Sequence, residues 1–505
     1  MTSRQSSGAR EIGTSKNLLS KVGVTSVGLP KGWVPTQLQE ISEIILGQSP
    51  PSSTYNEDEM GLPFYQGKLE FGNVFPTPRK WCTVPKKIAE KNDVLVSVRA
   101  PVGPTNICPD RSVIGRGLAA IRGLGGIESR FILYMLRANE GKIAGQGTGS
   151  TFTAISGNQL KQFATPLPPL PEQRRIVAKI EELFSDLDAG VEALKKIKAE
   201  LKRYKQAVLK AAVEGKLTEE WRENNKDKLE PASVLLERIR AERAKNGKAK
   251  KLPPIDTSEL PRLPEGWEWA RIGDLVSEPQ YGTARKCSYE QKGVPVLRIP
   301  NVVDGKIEHS DLKYALFSLE EVRQFKLSAG DILIIRSNGS LSLVGRAAVA
   351  SDRDNGYLFA GYLIRLRAMP NGVIPEFLKL VLGSPFLRSQ IEQKAKSTSG
   401  VNNINAKELG QLIMPVCSNT EQYQIVSEVE RRLSVADELE KTVEAGLKQA
   451  ERLRQSILKR AFEGKLVPQD PSDEPAEKLL ERIKATRALS ASEQKKLNRA
   501  RPKNG

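Results

Sequence analysis

The sequence predicts an α+β protein: two mixed α/β domains separated by two long antiparallel, coiled-coil-like helices, with an internal pseudo-two-fold. Three observations carry this. The stretch 172–217, EQRRIV to EGKL, recurs without a gap at 421–466, with 16 identities in 46 paired positions. In both copies apolar residues fall at steps of three and four along the whole stretch, which is the seam of one long helix. Each copy is preceded by short apolar runs broken by Gly, Pro and Asn, opening on the same LPxGW at Leu29 and Leu263. A period this long marks duplication of a large unit, not a solenoid.

Taken in order, residues 1–28 are polar, Ser/Thr-rich and aperiodic and read as a disordered extension. Residues 29–168 form a first globular domain, with a strand-like run at Val94–Val98 and helical character at Phe131–Arg137. Pro166, Pro168, Pro169 and Pro171 stop it, and Pro171 stands where a helix begins. The spacer 169–217 carries a seam from Ile176 through Leu187, Ile197 and Tyr204 to Ala211. It predicts a helix from Glu172 to Val213, about 63 Å long at roughly 1.5 Å per residue and ended by Gly215. Residues 218–262 read as a charged linker with a short helix at Pro231–Arg243 and a flexible KNGKAKKLPP. The second domain, 263–417, repeats the layout: Gly330–Ser340 takes the place of Asn92–Gly103, and Ile374–Leu382 that of Glu128–Leu136. A second long helix, 418–467, has its seam from Ile425 through Leu439 and Leu453 to Ala461. The tail, 468–505, contains Pro475–Arg487, a copy of Pro231–Arg243.

The chain has 505 residues, 39% of them hydrophobic, enough for more than two average domains. A net charge of +18 and a pI near 9.6 point to a polyanionic partner, nucleic acid above all. No segment exceeds +4 and the second long helix is neutral. The excess is therefore spread, as suits a molecule lying along a duplex rather than a basic arm. Cys82, Cys108, Cys287 and Cys417 stand far apart without CxxC, which argues against zinc or a disulfide framework and for a reduced cytoplasm. No run of 18 apolar residues or leader suggests a membrane span or secretion.

Catalytic tools are missing. The single histidine, His309, reads as a plain surface residue, and without a second one the usual acid–base and triad arrangements fail. There is no GxxxxGK[ST] loop and no [DNS]PP[YFW] motif. The run Gly145–Thr151 lacks the strand-turn-helix setting of a nucleotide loop. An adaptor is the natural reading, against two alternatives: a scaffold whose globular parts bind protein, and a combined enzyme. Two helices with equal seams bury them against each other or against partner helices. Antiparallel pairing would carry two unlike readers to half-sites about one turn, roughly 34 Å, apart. The target would be bipartite and asymmetric, with the helices as its ruler.

The LPxGW openings, PLPxxEQxxIV at Pro166–Val177 with a weaker copy at Pro415–Val426, and the ends Gln206–Thr218 and Gln455–Val467 together resemble the specificity subunit of a type I restriction-modification system. The similarity runs from about Leu29 to Arg487. It implies a non-catalytic subunit without a cofactor of its own, bound to double-stranded DNA. Two modification subunits would use S-adenosylmethionine to methylate adenine N6, and two restriction subunits would use ATP and Mg2+ to translocate and cleave DNA. It further implies that Glu172, Gln173, Ile176, Val177, Glu421, Gln422, Ile425 and Val426 form partner-docking surfaces. The second copy departs from the pattern, EQRR becoming EQYQ, so the two surfaces would differ.

Base-reading residues come from chemistry alone: polar and basic side chains in turn-like stretches. In the first domain these are Gln48, Ser49, Ser52, Tyr55, Lys68, Arg99, Thr148, Ser150 and Thr151. In the second they are Gln280, Tyr281, Thr283, Arg285, Lys286, Arg336, Asn338, Thr398, Ser399, Asn402 and Asn403. Arg suits guanine, Asn and Gln suit adenine, and loop hydroxyls suit phosphate.

Overall fold

A computed structural model describes residues 28–147, 154–245, 253–290, 292–395 and 400–500. The expected disordered extension and most of KNGKAKKLPP lie outside the described residues. The chain forms two compact units, 1–193 with 445–505, and 194–444.

In the first unit four antiparallel strands run in the order Ser42–Leu46, Leu118–Gly123, Val94–Ser97, Thr105–Ile107. Side chains alternate across a strand, so each face has its own core. Val94, Val96, Ala119 and Ile121 pack with the helix Ser129–Ala138 and with Ile176 and Ile180 of the long helix. Leu95, Leu118 and Ala120 pack with Tyr65 and Ile114 of a second, five-stranded sheet. Val94–Ser97 is a continuous buried run because both its faces are covered.

The second unit repeats this plan. Gln280–Tyr281, Leu363–Leu366, Ile332–Ile335 and Ala347–Val349 form the four-stranded sheet. Ile332, Ile334, Ile364 and Leu366 face the helical side, while Leu333, Ile335 and Leu363 face Leu297 and Phe359. A parallel strand pair lies beneath each sheet, with Tyr65 opposite Ile114 in one and Leu297 opposite Phe359 in the other.

The two long helices, Leu170–Val213 and Asn419–Phe462, are 44 residues each. Asp188 pairs with Arg454 in the first unit, and Lys198 with Glu444 (2.7 Å) and Lys205 with Asp437 (2.6 Å) in the second. Within the second unit each step up one helix is matched by a step down the other, so the two helices run antiparallel there. The buried stripe is narrower than the sequence seam. Leu201, Val208, Ala436, Val443 and Ala450 are buried, but Ile197, Tyr204, Leu439 and Leu453 are 43–50% exposed. Two helices cover only the narrow stripe between them.

The two short helices belong to the cores. Ala232–Lys245 buries Ala232, Leu235, Leu236 and Ile239 in the second unit, with the Ala232 N–H donating to Gly266 O at 2.9 Å. Ala476–Ala500, longer than its sequence copy, buries Ala476, Leu479 and Ile483 in the first, with the Ala476 N–H donating to Gly32 O at 2.9 Å.

The duplicated motifs meet. Trp33 Nε1 donates to Glu172 Oε2 and Trp267 Nε1 to Glu421 Oε2, both at 2.9 Å, so each LPxGW closes on an EQ. The first EGKL reaches the second LPxGW, and the second EGKL reaches the first. Gly215 and Gly464 end their helices at φ +69° and +68°, where an L side chain is strained. A Cβ on Gly215 would stand 2.5 Å from Pro264 Cγ, and one on Gly464 2.2 Å from Pro30 Cγ. Gly464→Ala therefore combines αL strain with overpacking and is expected to destabilise the first unit by about 2 kcal/mol. Urea unfolding measures it, and an unchanged midpoint would contradict the tight junction.

Candidate nucleic-acid interface

In the first unit an open cleft of about 390 Å³ is lined by Ser49, Tyr55, Gln66, Gly67, Lys68, Ser97, Arg99, Ala100, Arg116 and Gly117. It brings together four of the sequence candidates, Ser49, Tyr55, Lys68 and Arg99. Gln66, Ser97 and Arg116 were not foreseen. Among the described residues no carboxylate lines it, and that of the nearby Glu70 is engaged by the Gly67 N–H at 3.0 Å. Backbone bonds fix the walls. Ser49 Oγ accepts from the Arg116 N–H at 3.2 Å, Ser97 Oγ donates to Arg99 O at 2.9 Å, and Tyr55 Oη donates to Pro50 O at 2.7 Å. The cationic ends of Lys68, Arg99 and Arg116 are thus offered to an anion by a framed cleft without a competing carboxylate. Gln48 and Ser52 are exposed nearby in sequence but outside the cleft lining.

The second unit gathers a different set in the same frame. Gly47 N–H donates to Leu118 O, Gln48 N–H to Ile114 O, Val98 N–H to Gly117 O and Ile155 N–H to Val98 O. Gly282 to Leu363, Thr283 to Phe359, Arg336 to Tyr362 and Ile404 to Arg336 are their counterparts. On this frame the Arg336 guanidinium stacks on Tyr281, 4.6 Å from the ring centroid. Ser337–Asn338 pairs with Asn402–Asn403, and Asn402 Nδ2 donates to Gly339 O at 3.1 Å. Tyr281, Arg336, Asn338, Asn402 and Asn403 therefore share one surface region.

Other candidates are committed to the fold. The side chain of Gln280 accepts from Arg365, Thr283 is buried, and Arg285 pairs with Glu321 at 2.7 Å. Lys286 is exposed, apart from the stacked cluster. Thr148, Ser150, Thr151, Thr398 and Ser399 lie outside the described residues. His309 is also not a plain surface residue. Its side chain is 15% exposed and its Nε2 lies 2.7 Å from Oδ1 of the buried Asp354.

The expected partner surface is corrected most. Glu172, Gln173, Ile176, Val177, Glu421, Gln422 and Ile425 are all buried within their own units, and Val426 is half-buried. Gln173 Nε2 donates to Pro168 O and Gln422 Nε2 to Cys417 O, each at 2.9 Å. These side chains hold each domain to its helix and are not presented to a partner. The two junctions differ in charge. Glu421 Oε1 accepts from Arg222 at 2.8 Å and Thr218 at 2.9 Å, whereas Glu172 Oε1 accepts from neutral Gln469 at 3.0 Å. Burial pushes the Glu172 carboxyl above the usual carboxylate range.

Among the described residues no cluster of His, Cys, Asp and Glu could hold a metal, and no helix is long and apolar enough to cross a membrane. The chain is similar over residues 30–203 and 264–449 to the type I restriction modification DNA specificity domain. It is 28% identical to the EcoKI specificity subunit of Escherichia coli K12 over 488 residues, covering 92% of this chain and 97% of that one. A putative MjaX specificity subunit of Methanocaldococcus jannaschii is 38% identical over 192 residues, 37% of this chain and 44% of that one. The fold matches a solved type I R-M structure, described as the structural basis of complex assembly and conformational transition, at TM-score 0.64. That match has 20% identity and covers 87% and 99% of the two chains. The chain belongs to the type I restriction-modification DNA specificity family, as a subunit for DNA target recognition.

Proposed function

We propose that each domain reads one half of an asymmetric, bipartite double-stranded DNA site, and that the chain itself performs no catalysis. In this reading it directs adenine-N6 methylation by two modification subunits that use S-adenosylmethionine. It also directs ATP- and Mg2+-dependent restriction by two restriction subunits. The observation that supports it is one backbone frame carrying unlike side chains: Ser49, Lys68, Arg99 and Arg116 in one domain, Tyr281, Arg336, Asn402 and Asn403 in the other. A shared frame suits the same kind of duplex, and unlike side chains suit different base edges. Because the helix starts are buried, docking of a modification subunit falls to exposed helix residues such as Tyr423, Val435 and Leu439, which are 64%, 57% and 50% exposed.

Replacing residues 29–168 by the corresponding domain of another specificity subunit is expected to change one half of the methylated motif and leave the other intact. Sequencing the methylated bases of a strain carrying the replacement measures this, and a change in both halves would refute two independent readers. A scaffold that never touches DNA would give no salt-dependent, sequence-selective shift of duplex in the presence of a modification subunit.

A further inference from the structure

We infer that Arg336 reads a guanine in the half-site of the second domain, with the Tyr281 ring as the platform that aims it. This rests on the target-reading role proposed above and assigns one contact within it.

Arg336 leaves a rigid support. It follows Ile332–Ile335, four buried residues at the centre of the sheet, and its backbone is held on both sides, N–H to Tyr362 O at 3.0 Å and O from the Ile404 N–H at 2.9 Å. The platform is fixed as well, because Tyr281 lies in an edge strand and its Oη accepts from the Ala406 N–H at 2.9 Å. The guanidinium carbon lies over this ring, 4.6 Å from its centroid, a contact that holds the fork in place while leaving its charge uncompensated.

Its hydrogen-bonding capacity is largely unspent. Nε approaches Asn403 Oδ1 at 3.4 Å and Nη1 approaches Gly361 O at 3.5 Å, both long. Nη2 has no hydrogen-bond partner among the described residues, and no carboxylate there pairs with this arginine. Arg285, Arg298, Arg367 and Arg388 are each paired with a carboxylate instead. A planar fork held against a ring, with N–H groups in reserve, fits the O6 and N7 acceptors of guanine in the major groove. A phosphate contact would not need the fork to be held in place. In the first domain the equivalent positions are Val98, which is buried, and Leu46, so that reader is absent there.

The test uses the full chain assembled with its modification subunit. Binding to the target duplex is compared with duplexes in which each guanine of either half-site is replaced in turn, over a range of salt. Arg336→Lys keeps the charge and loses the fork. It is expected to lose about tenfold or more of the discrimination at one guanine of the second half-site, with the first half-site and the salt dependence unchanged. Tyr281→Leu should weaken discrimination at the same guanine. The inference is overturned if Arg336→Lys keeps full discrimination at every position. It is equally overturned if Arg336→Ala weakens all sequences alike and lowers the salt slope by about one, the mark of a phosphate contact. An unchanged urea midpoint of the second unit shows that each variant is folded. If the unaltered complex itself selects no sequence, the target-reading role fails, an outcome distinct from the loss of this one assignment.

Discussion

Glu421→Ala is expected to lower the stability of the second unit by about 3–5 kcal/mol, the usual consequence of removing one member of a buried ion pair. Glu421 is 2% exposed and accepts three hydrogen bonds, from Trp267, Thr218 and Arg222. Truncation leaves the Arg222 guanidinium, only 11% exposed, against Trp267 with no counter-charge. Glu421→Gln keeps an acceptor for Trp267 but still strands Arg222, so its cost should be nearer the lower end. The first junction sets the contrast. Glu172 is buried with no directly bonded cation among the described residues, so Glu172→Gln strands no charge and should cost less than Glu421→Gln. The sign of the pH effect follows. A native carboxyl with a raised pKa binds its proton more tightly than the unfolded chain does, so this contribution falls as pH rises out of the ordinary carboxylate range. Glu172→Gln removes that slope. Urea unfolding with hydrogen exchange localised to 263–275 and 415–426 measures the first effect, and equal costs for the two Gln variants would contradict the charge difference.

The duplication, the long helices and the layout of each domain were legible because they depend on periodic burial and on motifs that repeat. Val94–Ser97 and Ile332–Ile335 read as strands since both are continuous apolar runs with both faces covered. The role of EQxxIV was not legible. Buried Glu and Gln at a helix start have the composition of a polar docking surface, and only the position of Trp33 and Trp267 shows that they face inward. The width of the seam was overstated for a related reason: periodicity locates an apolar face but does not say how much of it one partner helix covers. In the binding region, turn chemistry found Arg99 and Arg336 yet could not separate Arg285, which Glu321 neutralises, from Arg336, which no carboxylate among the described residues does. Arg116 and Gln66 enter the cleft from flanks of strands far apart in sequence, and no local pattern signals that.

Asp331→Ala should join stability to recognition, with a loss of about 3 kcal/mol from the second unit. Asp331 is 1% exposed and accepts from Arg367 Nε and Nη2, both at 2.6 Å, and from the Ser328 N–H at 2.9 Å. It stands directly before Ile332–Ile335, so it anchors the start of the strand whose far end presents Arg336. Arg367 is 43% exposed and regains water when its partner is removed, which keeps the cost below that of Glu421→Ala. A loosened strand misplaces the Arg336 fork, and a shift on the order of 1 Å is enough to spoil a bidentate contact. Discrimination at the second half-site is therefore expected to fall while the first is retained. The mirror experiment uses Asp93, 1% exposed, which holds Arg122 Nε and Nη2 at 2.9 Å and precedes Val94–Ser97. Asp93→Ala should impair only the half-site read beside Arg99. Methylated-motif sequencing and urea midpoints on both variants distinguish the outcomes: reciprocal losses support one reader per domain, whereas loss of both half-sites from either variant would mean that the domains do not read independently.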